Sequence, residues 1–412
     1  MSSTLKKILF IFVILAVAGL IGFGLYLMFK STGALPIAKT PPKTDATGQL
    51  PTAGERQPDT TGTGAGTGAD QLPTAGAVTQ YTPPPSNAFR PEPVIKAVSD
   101  YAVFPSLNNN GNVRYHNAGD GKFYRLETDG QIKILSDQTF YNVSKVTWAK
   151  NQDKAVIEYP DNSKIIYNFE TNKQTTLPKH WSDFSFSSDG SQIAGKSLGL
   201  APENRWLVVT NDDGTGTKLI EPMGENGDKV IVDWSPSRQT AAFSKTGQPL
   251  GFDRQEILLV GLNHENFKAI IAEGLGFQPS WSPTGKKLLY SVYNGRSGFR
   301  PELWISNAYG DDIGSNRQML NLNTWADKCA FSGDDTLFCA IPRNLPEGSG
   351  MSREVAIGIP DDLYKIDLKT GLKTPISLGT EDYSINNISF DEKNNKVIFT
   401  DANKTGIFEA KL

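Results

Sequence analysis

The stretch Pro279-Ser280-Trp281-Ser282-Pro283-Thr284-Gly285-Lys286-Lys287-Leu288-Leu289-Tyr290-Ser291 decides how the chain is read. It runs from an aromatic through a Ser-Pro-x-Gly turn into an apolar segment, which spells one β-hairpin. Relatives of it recur. Aligned on the aromatic they fall at Phe104, Trp148, Phe186, Trp234, Trp281, Phe331 and Phe390, with successive spacings of 44, 38, 48, 47, 50 and 59 residues. A period in the forties predicts propeller blades of four strands. Each unit adds a third strand, such as Trp206–Val209, Ile257–Val260, Leu303–Ile305 and Leu363–Ile366, and a short fourth strand after a turn. From residue 93 onward apolar runs are short and bounded by turn residues, without helical periodicity, as an all-β domain requires.

The aromatic has a structural reason to recur. Each sheet must bury one face against its neighbour, and a bulky ring near the hairpin fills that wedge, so Trp148, Trp234 and Trp281 are read as inter-blade core. Seven aromatics predict seven blades, or six if the Phe104 unit is degenerate. After Phe390 the chain has strands around 397–399 and 406–410 and then stops one strand short. Residues 93–97 stand ready to supply the missing outer strand and clasp the ring.

This pattern resembles the TolB-type, WD40-like propeller repeat, whose signature is an aromatic-Ser-Pro-Asp-Gly turn before an apolar strand. Trp234-Ser235-Pro236, Trp281-Ser282-Pro283-Thr284-Gly285 and Phe186-Ser187-Ser188-Asp189-Gly190 show it best. The resemblance spans residues 93–412; it implies a fold and is nearly silent on function.

Residues 1–7 are expected to be a cytoplasmic N-terminus containing Lys6 and Lys7. The uncharged apolar run 8–29 is long enough, at about 1.5 Å per residue, to cross a bilayer of about 30 Å. It exceeds the apolar core of a cleavable signal and is expected to stay as a single-pass signal anchor in the cytoplasmic membrane. Residues 30–92, rich in Pro, Gly and Thr, read as a disordered linker. The propeller would then be extracytoplasmic, in the periplasm or at the cell surface. The duplicated Gln-Leu-Pro-Thr-Ala-Gly at 49–54 and 71–76 is low-complexity repetition rather than a sorting signal, which would precede a C-terminal apolar tail.

A formal net charge of −3 gives no indication of a nucleic-acid partner. His116, His180 and His264 are scattered over loop or turn contexts of different blades, so no metal site is expected. No catalytic residues and no cofactor are expected either: no G-x-S-x-G elbow occurs, and Asn211-Asp212-Asp213-Gly214 has Met223 where a calcium loop needs Glu. Three Asn-x-Ser/Thr triplets, at Asn142, Asn387 and Asn403, match the glycosylation pattern. Cys329 and Cys339 face each other across one hairpin, which leaves open a disulfide or two reduced core cysteines.

The loops between second and third strands are long only in the middle four units. Of ten arginines beyond residue 91, six (Arg205, Arg254, Arg296, Arg300, Arg343 and Arg353) lie in those loops, with Phe252, Phe299 and Met351. That composition suits a partner-binding face, while merely solvated loops would look the same. The sequence thus points to a membrane-anchored, non-enzymatic propeller that binds a protein or envelope component, with a glycan-binding or glycan-active channel as the alternative.

Overall fold

In a computed structural model the described residues are Phe23, 94–251 and 253–412. The expected anchor run 8–29, apart from Phe23, and the linker therefore lie outside the described residues; among those described, no helix is long and apolar enough to cross a membrane.

Seven four-stranded antiparallel sheets follow one another along the chain. Six are built from consecutive strands. In the seventh, Val94–Val98 is the outer strand and pairs with C-terminal Ile407–Lys411, Val94 opposite Ala410 and Lys96 opposite Phe408. The expected clasp is present, and the six-bladed alternative is excluded.

The repeated turn has a physical explanation in its serine. Ser187, Ser235 and Ser282 each accept, through the side-chain oxygen, the N–H of the residue five positions on, at or just before the second strand, at 3.0–3.1 Å. Three residues after each serine the turn needs positive φ, met by Gly190 at 69°, Gly285 at 73° and, less comfortably, Arg238 at 64°. The serine is thus a hairpin lock.

Six of the seven aromatics stand where expected. Trp148 faces Ala155, Phe186 faces Ile193, Trp281 faces Leu288, Phe331 faces Leu337 and Phe390 faces Val397. Each packs on the preceding blade: Trp281 stacks on Phe243 at 5.1 Å and Phe390 on Phe338 at 4.4 Å, while Trp234 is buried with Leu207 and Val209. Phe104 is a correction. In the first blade the residue before the turn is Leu107, opposite Val113, and Phe104 lies at a bulge in the inner strand with φ of 54°. Its carbonyl instead accepts the Trp148 indole N–H at 3.0 Å.

Candidate functional site: the long-loop face

The four long connections run over residues 199–204, 245–254, 294–300 and 343–360, between second and third strands of blades 3 to 6. They share one face with the blade-to-blade connections, as their contacts show. Arg205 reaches Glu225 at 3.2 Å, Arg254 reaches Glu273 at 2.9 Å and Arg353 reaches Asp327 at 2.5 Å, all on such connections.

The predicted arginines are brought to one face but serve first as braces. Arg205, expected in the loop, instead opens the third strand of blade 3 and donates back to the loop carbonyls of Gly199 and Leu200. Arg296 pairs with Glu302 at 2.9 Å. Arg300 donates to the Leu345 carbonyl at 2.7 Å and lies 3.7 Å from Glu347, both in the next blade's loop. Arg343 divides its guanidinium between Asp362 at 2.8 Å and Asp382 at 2.6 Å, which hold it above its usual pKa. The Arg353 guanidinium lies 4.9 Å from the Trp325 ring. Every one of the six is charge-compensated, although Arg254 and Arg296 keep more than half of the side chain exposed.

Loops of blades 5 and 6 are stitched into one platform. Gly348 N–H donates to the Gly298 carbonyl at 2.9 Å, and Gly350 N–H to the Phe299 carbonyl at 2.8 Å. Phe299 has φ of 56°, a strained value for a bulky residue, and 41 % of it stays exposed. Around this platform stand exposed apolar side chains: Met351 at 60 %, Val355 at 49 % and Ile357 at 67 %, with Leu200 fully exposed on the blade 3 loop. Sequence reading noticed Phe299 and Met351 but missed Leu200 and Ile357. Phe252 lies outside the described residues.

Cys329 and Cys339 form a disulfide, their Cα atoms 4.1 Å apart across the blade 6 hairpin. His116 departs from its expected loop: it lies in strand Val113–Asn117, buried, with Nε2 3.0 Å from the Phe140 carbonyl oxygen. His264 is exposed beside Glu221. Among the described residues no group of three His, Cys, Asp or Glu side chains is placed to hold a metal.

The central channel, at the end away from the long loops, contains a cavity of about 250 Å³ lined by Thr147, Trp148, Lys150, Ser185, Asp233 and Ser280 among others. Poor solvation there pushes the Asp233 carboxyl up to about 7, against the pull of Lys150. Sequence reasoning did not find Asp233, although it stands one residue before Trp234, directly after the inner strand Val230–Val232.

No protein-family model matches the chain, and no curated protein matches its sequence. Among solved structures it is similar to an oligogalacturonate lyase in complex with manganese, at 14% identity over 78% of this chain and 91% of that one, with a TM-score of 0.52. It is likewise similar to the oligogalacturonate lyase of Vibrio parahaemolyticus, at 12% identity over 77% and 93%, with a TM-score of 0.51. At such identities the likeness shows a shared propeller fold and nothing finer.

Proposed function

We propose that this chain is a TolB-like, membrane-anchored interaction module, displayed outside the cytoplasmic membrane and capturing a protein or envelope component on the long-loop face without catalysis. One observation supports it above all: loops braced by arginine–carboxylate pairs hold Leu200, Phe299, Met351 and Ile357 out to solvent on a single face. Exposed apolar side chains on rigid supports are what a binding surface offers, because little ordering entropy remains to be lost on association. The arginines ring this surface and supply polar contacts at its rim, Arg254 and Arg296 being the most open. Membrane display rests on Lys6, Lys7 and the apolar run that follows.

The test is capture of partners from solubilised envelopes by the full chain and by a Leu200→Ser/Met351→Ser/Ile357→Ser variant. All three side chains are largely exposed, so the thermal transition should hold while capture falls at least about tenfold. Equal capture by both proteins would remove the long-loop face from consideration.

A second reading is favoured by the channel cavity, where Lys150 and Asp233 stand among indole edges and hydroxyls suited to a sugar. Calorimetric titration with neutral and uronate oligosaccharides, with and without Mn²⁺, tests it. Heat that disappears in Lys150→Ala supports this reading, and the absence of heat for all of them refutes it.

A further inference from the structure

We propose that the circumference of blade 4 is a strand-addition site for an extended peptide with apolar side chains and flanking Lys or Arg.

The site starts from an incomplete sheet. The third strand of blade 4 spans Gln255–Val260, yet its outer strand, Ile270–Ala272, pairs only with Gln255, Glu256 and Ile257. Among the described residues no strand covers Leu258, Leu259 and Val260 on that side. Blade 2, by contrast, covers its third strand completely, from Lys164 to Asn168. An uncovered edge presents backbone donors and acceptors in strand geometry, which is a template for another strand.

What lies beside the edge sets the side-chain requirement. A cavity of about 410 Å³ opens where the outer strand is missing, and its apolar wall includes Leu207, Met223, Val230, Leu258 and Phe267. That volume lies in the range of sites that enclose small ligands, enough for one or two Val, Ile or Leu side chains. Phe267, in the segment that bypasses the edge, is only partly buried.

Charge fixes the flanks. The ionisable side chains lining the cavity are Glu221, Glu265 and His264, with no Lys or Arg among them. Glu221 is 3.1 Å from His264, both exposed, so neither carboxylate is neutralised by a strong cation. A peptide ending in Lys or Arg complements this rim, and an acidic one is repelled. The cavity meets the long-loop face through Thr246 and Asn226, but none of Leu200, Phe299, Met351 and Ile357 lines it, so either proposal can fail alone.

The probe is a fluorescein-labelled seven-residue peptide alternating Val or Ile with Thr and ending in Lys on both sides, titrated into the full chain by anisotropy. Expected are saturable binding, a loss of at least about tenfold when alternate peptide amides are N-methylated, and a similar loss when the terminal Lys become Glu. Leu258→Lys and, separately, Glu221→Lys weaken the parent peptide to the same degree; both residues are solvent-exposed, and an unchanged Tm checks each fold. No binding of the parent peptide, equal binding of the N-methylated peptide, or indifference to both substitutions overturns the proposal. The N-methyl comparison needs no variant, so it decides even if a substitution disturbs folding.

Discussion

The N–H of Gly350 donates to the carbonyl oxygen of Phe299 at 2.8 Å, joining the long loop of blade 6 to that of blade 5. The contact is close enough to exclude any side chain: a Cβ at position 350 would lie 2.5 Å from Tyr293 Cβ and 2.7 Å from that same carbonyl oxygen. Gly350→Ala is therefore expected to push the two loops apart and to cost about 1–3 kcal/mol. Hydrogen exchange should accelerate over 295–300 and 343–357 while the inner strands stay protected. Uniformly unchanged exchange would show that the platform is not held by this contact.

The buried pair of Lys328 and Asp361, 2.8 Å apart, ties blade 6 to blade 7, since Asp361 also accepts the Ile385 N–H at 2.7 Å. Burial pushes the Asp361 carboxyl up and the Lys328 amine down, so each depends on the other to stay charged. Lys328→Met leaves a carboxylate without its cation and is expected to destabilise by about 3–5 kcal/mol; adding Asp361→Asn should recover part of the loss. Strict additivity in chemical denaturation would contradict the pairing.

Asp233 predicts a pH dependence. Its folded pKa, about 7, lies above the ordinary carboxyl value near 3.8 because burial disfavours the charge. The folded state therefore binds the proton more tightly than the unfolded one. That contribution is full below the unfolded pKa and is lost as pH rises through about 7. Asp233→Asn removes the titration, so its Tm relative to the parent should rise between about pH 5 and about pH 8. A difference that is flat with pH would show Asp233 to be well solvated.

Reduction of the Cys329–Cys339 disulfide, which closes a short loop of sequence separation 10, is expected to lower stability by about 2–3 kcal/mol on the loop-entropy model. Cys329→Ala/Cys339→Ala should reproduce that fall in urea midpoint, and reductant should leave the variant unchanged.

How far the sequence could be read follows from the range of the forces involved. Hairpin locks such as Ser282 to Lys287 are local, so the phase of the blades was visible, as was the cross-strand register of Cys329 and Cys339, while the bond between them was left open. Phe104 misled because aromatic identity stood in for position: the turn counts back to Leu107, and a bulge had displaced the ring. The arginines were visible as a group, but their partners Glu273, Asp327 and Asp382 lie on other connections. Closure of the ring alone makes them neighbours, so an apparent cationic face became a set of braces. The uncovered edge at Leu258 was hidden for the same reason, since a missing partner strand leaves no local signature.

The long-loop face is tested most directly by site-specific photocrosslinking in intact cells. A photoreactive phenylalanine analogue at 351 or 357, on the platform, is compared with one at 372, an exposed position on a turn between third and outer strands. A discrete adduct of the same mass is expected from 351 and 357 and none from 372. Adducts from 372 alone, or equal ones from all three positions, would contradict that expectation.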